Sequence, residues 1–564
     1  MQKRNQKKRT WLIAVIIVAL FTGNKVLCQP ASPFINEFLT LNRTILADED
    51  GDYSDWIEIY NPLQEDIDLL NWSLTDRKDR NRMWVFPDIT LRKGSYLVVF
   101  ASGKNRKEPG KELHTNFSLN GDGEYLALYN AAGNAITRFD PAFPVQQHDI
   151  SYGFMNGGYI SFSFPTPGSE NNLSGGTMPS PPVFSMKHGF YDAPFNLVIS
   201  TAEQGVQVLY TSDGSAPDLG NGTLYAVPLN ISCTSVIRAI CINNNQVKST
   251  ISTRTYLFPD DIIHQPNNPT GYPSTWGNFL SISGTAPADY EIDPEMVADP
   301  VFAESLKEAL RDLPVISLVS DKNHLFSKTA DEFTGGIYIY TGTAQGTGYG
   351  WERPVSFEYF DDADSVSFQA DCGVQIHGGE GRRPEKSPKH SFRLIFRREY
   401  GPSGFNLPLF GENAVKSFNN IILRAGFGNT WIHWSHSERS MAQYLRDRWT
   451  KDTQLAMGHH SSHGIYVHLF INGLYWGIYN PSERLDSDFA ESYLGGNAED
   501  YDVVKDYSEA VDGNLTAWNA AITLANAGLG ENDGYQRIQG NNPDGTRNPA
   551  YKPMIDVVSL ADYM

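Results

Sequence analysis

A run of basic side chains between Arg382 and Arg398 is the feature of this sequence with the clearest chemical meaning. It holds seven Lys or Arg residues and one acidic residue, Glu385, in a 564-residue chain whose formal net charge is −20. The apolar and basic residues alternate there, so a β-strand would place them on opposite faces. The apolar face would carry Phe392, Leu394 and Phe396, and the cationic face Lys389, Arg393 and Arg397. Such a strand can bury one face and bind phosphate on the other; the alternative is a basic face that is only solvated.

Three glycines, Gly378, Gly379 and Gly381, precede this strand. Because glycine has no side chain, backbone N–H groups in such a loop can approach an anion closely. A glycine-rich loop that leads into a lysine-bearing strand is the arrangement that kinases place over the phosphates of ATP. The sequence therefore predicts a phosphate-binding loop and strand.

Two further groups of residues invite a metal-binding interpretation. Six of the thirteen histidines lie between His433 and His468, but none shows the tight helical spacing of a zinc site, so loop and strand histidines are expected. An acidic turn near the N-terminus crowds carboxylates together, as calcium sites do. Its members are Asp48, Glu49, Asp50, Asp52 and Asp55. Their spacing does not fit an EF-hand loop, and a solvated acidic turn is the alternative.

The composition limits the class of protein. Acidic residues exceed basic ones by 65 − 45 = 20, which argues against broad nucleic-acid binding. A hydrophobic fraction of 40% with 49 Gly and 32 Pro favours loop-rich β structure in three or four domains. The four cysteines form no Cys-x-x-Cys pair. Cys233 and Cys241 could pair across neighbouring strands, but their spacing alone does not show it.

Residues 1–28 have the pattern of a secretory signal peptide. Basic residues are followed by an apolar run from Trp11 to Phe21 and by Val26 and Cys28 at cleavage-like spacing. The run is too short for a comfortable membrane span. The alternatives are an uncleaved N-terminal anchor and, less compatible with the bulky Leu27, a lipoprotein site at Cys28. We expect a secreted, cell-surface or periplasmic protein with no membrane span after cleavage.

Residues 33–155 alternate short apolar runs with turn residues, which predicts a β-sandwich. Strands are expected at 56–60, 96–100 and 125–129. The stretches INEFLTLN, DEDGDYSDWIEIYNP, FPDITL and HTNFSLNGDGEYLALY resemble a lamin-tail domain, which implies an Ig-like sandwich.

A second β module follows a linker at 156–181, which is rich in Gly, Ser, Asn and Pro from residue 168. Strand periodicity returns over 182–257, at 195–199, 206–210 and 236–240. The stretch YTSDGSAPDLGNGTLY is similar to the small β-sandwich at the C-terminus of chitobiase-type hexosaminidases. The module has no obvious carboxylate pair, so spacing or weak binding is expected of it rather than glycosidase chemistry.

Residues 258–312 read as an irregular connector that contains one helix. Asp299 is the expected N-cap and Pro300 the first helical residue. The spacing of Phe302, Leu306 and Leu310 predicts one apolar face.

The remaining residues, 313–564, contain two further local signals. Ser435 and Glu438 form a capping-box pair that would open a helix, with Met441, Tyr444 and Leu445 facing its core. Asn472-Gly473 predicts a two-residue hairpin turn between strands at 466–471 and 474–479.

The same segment resembles the CotH kinase family. The resemblance rests on LPVISLVSD, GGIYIY, WERPVSFEYF, GVQIHGGEGRR, PKHSFRLIF, LRAG, MGHHSSHGIYVHLFINGLYWGIYNPSERLDSDF and YDVVKD. It implies an α+β atypical kinase-like fold and transfer of phosphate from ATP to protein, with ATP and Mg²⁺ as cofactors. The whole chain is then a multidomain protein: a lamin-tail sandwich, a small β-sandwich and a kinase-like domain.

The resemblance also implies which residues would bind the nucleotide. The cofactor-binding candidates are Lys389, Arg393, Gly378, Gly379, Gly381 and Glu483. Glu483 would hold Lys389, as kinases pair their phosphate-binding lysine with a glutamate. Asp488-Phe489-Ala490 is not taken as a metal site, and no catalytic or metal-binding residue is assigned. The family's presumed catalytic and metal-binding aspartate motifs are expected beyond Met564, which predicts an incomplete domain, inactive as a fragment.

Two functions follow as expectations. The first is an exported CotH-type protein kinase that acts on a protein substrate. The alternative is a non-catalytic surface or matrix protein that uses its kinase-like and β-sandwich modules to bind a protein or a surface polymer such as a carbohydrate.

Overall fold

The structure is a computed structural model. It describes residues 32–172, 178–278, 285–329, 331–338, 351–361, 366–397, 400–401, 405–506 and 508–563. The predicted signal peptide lies outside these residues. Among the described residues, no helix is both long and apolar enough to cross a membrane.

The N-terminal module is a sandwich of short strands, as the alternation of apolar runs and turns predicts. Its strands are β1 (Phe34–Leu39), β2 (Asp55–Tyr60), β3 (Ile67–Asp68), β4 (Ser73–Thr75), β5 (Trp84–Val85), β6 (Thr90–Leu91), β7 (Tyr96–Ala101), β8 (Leu113–His114), β9 (Leu126–Tyr129), β10 (Ala135–Phe139), β11 (Ser151–Met155) and β12 (Gly158–Phe162). One sheet has the order β12-β11-β1-β2-β7-β8 and the other β10-β9-β4-β5. The three predicted strands are confirmed, and β12 continues the sandwich into the segment assigned to the linker.

The second module is also built from β-strands. They are β13 (Val183–Phe184), β14 (Gly189–Phe190), β15 (Phe195–Leu197), β16 (Ile199–Ser200), β17 (Val206–Thr211), β18 (Thr223–Leu224), β19 (Leu229–Ile231), β20 (Ser235–Asn243) and β21 (Ser252–Leu257). Its largest sheet has the order β14-β21-β20-β17-β18. Cys233 is exposed and Cys241 is buried, and both are free thiols, so the suggested disulfide does not form.

The connector is more ordered than its composition suggests. It holds α1 (Pro259–Ile263), β22 (Thr275–Asn278), β23 (Thr285–Pro287), α2 (Pro294–Ala298) and α3 (Pro300–Ala309). Asp299 caps α3 as predicted, accepting hydrogen bonds from the backbone N–H groups of Val301 and Phe302. Leu310 is buried, but Phe302 is 48% exposed, so the predicted apolar face of α3 is only partly covered.

A closed seven-stranded barrel forms the centre of the third module. Its strands are β24 (Val315–Val319), β25 (Arg353–Asp361), β26 (Val366–His377), β27 (Ser391–Ile395), β30 (Asn420–Arg424), β31 (Val467–Ile471) and β32 (Leu474–Glu483), in the order β24-β25-β26-β27-β30-β32-β31. β24 and β31 close it as a parallel pair, whereas the other neighbours are antiparallel. The predicted hairpin turn is confirmed, since Asn472 and Gly473 both have positive φ between β31 and β32.

Further elements surround the barrel. They are α4 (Lys322–Phe326), β28 (Phe405–Asn406), β29 (Ser417–Phe418), α5 (His436–Ser440), α6 (Arg446–Ala456), α7 (Ser487–Leu494), β33 (Val503–Lys505), β34 (Glu509–Asp512), α8 (Thr516–Asn526), α9 (Asn532–Ile538) and α10 (Val557–Tyr563). The chain is therefore mostly β, with an Ig-like first module and few helices.

The capping-box prediction for α5 is wrong. Ser435 precedes the helix, but its hydroxyl makes no cap hydrogen bond and pairs with that of Ser437 at 2.9 Å. Met441 and Leu445 are 57% and 61% exposed rather than directed into a core. The helix is one turn long, so it has too few residues to form the buried face that the spacing suggested.

The barrel interior is filled by aromatic side chains, two of them from the connector. Trp276 of β22 is fully buried, with its ring centroid 4.8 Å from that of Tyr338 and 5.6 Å from that of Trp476. Tyr290, also from the connector, lies 5.0 Å from Trp276. The segment predicted to be an irregular connector is thus an integral part of the barrel core.

The second module is joined to the barrel by a buried polar network. Glu358 of β25 accepts hydrogen bonds from the backbone N–H and hydroxyl of Thr255, at 3.2 and 2.5 Å, and contacts His188 Nδ1 at 2.7 Å. The Thr255 hydroxyl also lies 2.8 Å from that of Ser317. Buried polar groups hold a fixed geometry when every partner is satisfied. The two modules therefore pack with a defined orientation.

Candidate anion-binding site

Two of the three predicted cationic side chains, Lys389 and Arg393, lie along a surface formed by three barrel strands. In β27, Phe392 and Leu394 are fully buried, which confirms the apolar face, while Arg393 points to the opposite face. Lys389 lies two residues before this strand. We call this surface the outer-face strip; it comprises Lys389, Ser391, Arg393, Arg424, Asn480 and Ser482. Their alignment follows from the register of β27 with β30 and of β30 with β32.

Arg393 stands at the middle of the strip without a partner. Its Nε is buried and makes no hydrogen bond, and no ion pair to it occurs among the described residues. Burial lowers its pKa to about 10, with the positive charge of Arg484 as the next cause. A buried guanidinium without an anion is costly, because its lost hydration is not replaced. An anion bound there would remove that cost.

The neighbouring arginines already have acidic partners. Arg424 forms a two-point ion pair with Asp447 in α6. Arg397 reaches Glu352 at 3.2 Å. Arg484 lies 3.4 Å from Asp486. Of these four arginines, Arg393 is therefore the one that forms no ion pair with the described residues.

The pKa of His377, at the end of β26, reflects the positive charges around the strip. Its pKa is lowered to about 4, first by burial and then by the charges of Arg484 and Arg393, among other cations. The imidazole is consequently neutral at physiological pH. In a chain of net charge −20, this local field is a feature of the site rather than of the protein as a whole.

Lys389 lies at one end of the strip, in the wall of an aromatic cavity of about 750 Å³. Its Nζ is 4.6 Å from the ring centroid of Trp476 and 3.5 Å from the backbone oxygen of Asp289. Burial lowers its pKa to about 8. The ammonium is thus held by a cation–π contact and a weak hydrogen bond. The negative charge of Asp289 partly offsets the effect of burial, but the described residues form no ion pair with Lys389.

A second cavity of about 260 Å³ adjoins the first. The two share the lining residues Ala425, Tyr444, Tyr466, Ile478 and Tyr479. Ser391, Arg424 and Asn480 of the outer-face strip line the smaller cavity. One continuous depression therefore runs from an aromatic end at Trp476 to a polar, cationic end at Arg424.

The predicted glycine loop lies at the same end of β27. Gly378 has φ of +105°, a conformation that favours glycine, and Cβ atoms at Gly378 or Gly379 would meet open space. Gly381 packs against Phe427, 3.2 Å from where a Cβ would lie. His390 Nδ1 contacts the Gly381 oxygen at 3.0 Å. The loop is thus fixed to the start of the strip, as its position in the sequence predicts.

Glu483 does not hold Lys389, so that part of the sequence interpretation is wrong. It accepts hydrogen bonds from the His463 backbone N–H at 2.8 Å and from the Tyr493 hydroxyl at 2.5 Å, and contacts His463 Nδ1 at 2.9 Å. Glu483 pairs through Ile421 with Leu394, five positions from Lys389, or roughly 17 Å along a strand. The two residues lie in different parts of the barrel.

The structure also shows the surroundings of the two candidate metal-binding groups. In the described part of the chain, the only group of three ligating side chains close enough to share an ion is Asp48, Asp50 and Asp52. Lys104 Nζ lies among these carboxylates, at 2.7, 2.7 and 2.8 Å. A protein ammonium thus occupies the place that calcium would take. The interior histidine His468 contacts Ala309 O and the Tyr475 hydroxyl, consistent with a structural role.

The site residues fit one of the two implied cofactors. The unpartnered guanidinium of Arg393 suits a phosphate group, which forms strong charge-assisted hydrogen bonds with arginine. The strip itself offers no cluster of carboxylates for Mg²⁺ among its described residues. Sequence reasoning missed His377, Arg424, Arg484 and Trp476, because their proximity depends on strand pairing between distant segments.

Comparisons with known proteins agree with the modular structure. Family models match at 41–142 (Lamin Tail Domain), 197–256 (Fn3 associated) and 374–560 (CotH kinase protein). The chitobiase-type resemblance of the second module stays a prediction. No curated protein matches the chain.

Among solved structures, the sialic acid binding region of the Streptococcus sanguinis SK1 adhesin bound to 3'sLn aligns with 61% of this chain and 96% of its own. The identity is 11% and the TM-score 0.11, so this likeness carries no argument about fold or ligand. The CotH match spans the outer-face strip. The chain is a CotH-like protein with an N-terminal lamin tail domain.

Proposed function

We propose that this protein is an exported atypical protein kinase of the CotH type, and that its outer-face strip binds the phosphates of ATP. The observation that carries the proposal is Arg393, a part-buried side chain in an otherwise acidic protein. Its Nε is buried without a hydrogen bond, and the described residues form no ion pair with it. The family resemblance supplies the expectation that the anion is a nucleotide and that the acceptor is a protein.

The aromatic cavity suits the base of a nucleotide, and the cations of the outer-face strip beside it suit the phosphates. The aromatic cavity, with Trp476 and several tyrosines, offers apolar surface for a base. Arg393, Lys389 and the N–H groups of the glycine loop offer positive charge and donors for phosphates. These side chains would orient the nucleotide and neutralise its charge. When bound, Mg²⁺ would supply further neutralisation of the phosphates.

Replacing Arg393 with glutamine should weaken binding of Mg²⁺–ATP by about 10- to 100-fold, because a hydrogen bond to a charged group contributes about 1.5–3 kcal/mol. Isothermal titration calorimetry measures this directly. The matched control is Arg383→Gln, in the same basic stretch, where the side chain is part-exposed and lies 3.6 Å from Glu380. Its affinity should match that of the wild type.

A second readout separates binding from folding. Because Arg393 is part-buried, with a buried Nε that makes no hydrogen bond, Arg393→Gln should leave the thermal stability of the ligand-free protein unchanged or slightly raised. Equal ATP affinity in the wild type and Arg393→Gln, or no binding by the folded wild type, would overturn the proposal. Phosphorylation of protein with radiolabelled ATP would then be the test of catalysis.

Exposed tryptophans favour the alternative function, binding to a surface polymer. Trp431 and Trp449 are each 69% exposed, and Trp434 is 52% exposed. Aromatic rings on a surface commonly mark interaction sites. A protein that sediments with cell-wall polysaccharide through these residues, but does not bind ATP, would support this alternative.

A further inference from the structure

Three polar side chains at the junction of the second module and the barrel form a chain of two short hydrogen bonds. The hydroxyl of Ser367, in β26, lies 2.5 Å from His188 Nε2. His188 Nδ1 lies 2.7 Å from Glu358 Oε1. The order is a hydroxyl, an imidazole bound through both nitrogens, and a carboxylate, which is the arrangement that activates a serine nucleophile.

The environment of Glu358 determines which imidazole nitrogen carries the proton. Both carboxylate oxygens accept hydrogen bonds from Thr255, one from its backbone N–H and one from its hydroxyl. Glu358 therefore acts as an acceptor, so His188 Nδ1 carries a hydrogen and Nε2 is left to accept from Ser367. That tautomer is the one in which a histidine can take the proton of a serine hydroxyl.

The ring of His188 is also held in place. It stacks on Phe360, with centroids 4.6 Å apart and planes 28° apart. The imidazole and Glu358 are both buried, whereas Ser367 is exposed. The base and its orienting carboxylate are thus shielded from water, and the hydroxyl is open to a substrate.

Two other serine–histidine pairs show what is distinctive here. Ser102 Oγ lies 2.8 Å from His114 Nδ1, but Nε2 of that histidine is buried without a partner. Ser320 Oγ lies 3.0 Å from His324 Nδ1 and is itself buried. Neither pair combines an exposed hydroxyl with a carboxylate on the second ring nitrogen.

We propose that Ser367, His188 and Glu358 form a nucleophilic site that hydrolyses carboxylic esters with a short acyl group. The Ser367 oxygen bonds to the ester carbonyl carbon as its proton passes to His188 Nε2. The ester C–O bond then breaks, and the alcohol leaves with that proton. Water, deprotonated by His188, attacks the acyl-serine, releasing the acid and restoring the hydroxyl. Glu358 stabilises the imidazolium and remains a carboxylate.

The solvent exposure of the Ser367 side chain determines which class of ester can reach its hydroxyl. A hydroxyl on an exposed strand face can reach esters on a bulky molecule, and a short acyl group needs no deep pocket. The site is also separate from the outer-face strip, because Ser367 lies eight residues along β26 from Gln375, which pairs with Arg393. That spacing is roughly 26 Å in a strand, so the two sites can be tested independently.

Fluorophosphonate labelling of the full chain, read by peptide mass spectrometry, tests the proposal. We expect one label at Ser367 and slow hydrolysis of p-nitrophenyl acetate. Ser367→Ala should lose both, and His188→Gln or Glu358→Gln should slow labelling by at least about 100-fold. Ser102→Ala, the matched control, should label like the wild type.

Folding of each variant is checked by its melting curve, and Ser367→Ala alone decides the question because an exposed serine contributes little to stability. A folded wild type that takes no label at Ser367 would show that the network only joins the two modules. Unchanged labelling in a folded Glu358→Gln variant would also overturn the proposed role of the carboxylate.

Discussion

Replacing Trp276 with alanine should lower the free energy of unfolding of the barrel by about 3–5 kcal/mol, the usual cost of deleting a large buried aromatic side chain. The indole is fully buried and touches the rings of Tyr290, Phe326, Tyr338 and Trp476. Removing it leaves a cavity that these rigid rings cannot fill by small movements. Urea unfolding, followed by hydrogen exchange of peptides from the barrel strands, measures the change separately from the other modules.

Trp449→Ala is the matched control, because that side chain is 69% exposed and its loss should change stability by no more than about 0.5 kcal/mol. The loss of stability in Trp276→Phe should lie between those of the other two variants. Phenylalanine keeps most of the packing, and the substitution removes an indole N–H that has no hydrogen-bond partner. If Trp276→Ala unfolds at the same urea concentration as the wild type, the connector does not complete the barrel core.

The lamin tail domain should lose stability as pH rises from 5 to 8.5, by about 3–4 kcal/mol from Glu58 alone. Glu58 and Glu37 are directly opposed on β2 and β1, and both are fully buried. Burial raises the pKa of Glu58 to about 8, and the charge of Glu37 adds to the shift. Burial also raises the pKa of Glu37.

Glu58 binds its proton more tightly in the folded state than in the unfolded state, so the stability of the domain falls as pH rises. Because the folded-state pKa of Glu58 exceeds the ordinary value of 4.5, its contribution is fully present below pH 4.5. This stabilising contribution is lost as pH rises toward 8. At that pH the folded chain must either hold a proton that the unfolded chain has released or bury a charged carboxylate. Hydrogen bonds to this pair come both from strands of the sheet and from the segment after β12. Ser151 and Thr166 donate to Glu37, and Asn36 and Gly168 donate to Glu58.

Glu58→Gln should flatten this pH dependence, because an amide cannot ionise, and should be more stable than the wild type at pH 8.5. Thermal melts of the lamin tail domain within the full chain, at pH 5 and 8.5, measure the difference. Glu65→Gln, at an exposed position, should keep the wild-type profile. A wild-type melting temperature that does not fall over this range would contradict the assignment of a proton to the buried pair.

Local patterns in the sequence predicted the strands well. The alternation around Arg393 identified which face of β27 is buried, because strand periodicity directly reflects side-chain direction. Asn472-Gly473 identified the hairpin, since both residues tolerate the positive φ that the turn requires. These features depend on neighbours in the chain, which a single sequence displays.

Features that depend on distant contacts were not predictable in the same way. The role of Trp276 was missed because its segment is rich in Pro, Asn and Gly and forms only short strands. The predicted partner of Glu483 was wrong because its actual hydrogen-bond partners, His463 and Tyr493, are brought to it by a loop and by α7. Ion pairs between distant segments, such as Arg397 with Glu352, also determine which arginine is left without an acidic partner.

In the proposed function, a nucleotide lies on the outer-face strip with its phosphates near Lys389 and Arg393. An acyl phosphate of ATP, which acylates lysine amines beside the terminal phosphate, tests it directly. Lys389, whose pKa is about 8, has a neutral amine fraction on the order of a hundred times that of an ordinary lysine near neutral pH. We expect acylation of Lys389 that excess ATP suppresses and that Arg393→Gln reduces. Labelling of other lysines alone, or labelling of Lys389 that ATP does not suppress, would contradict it.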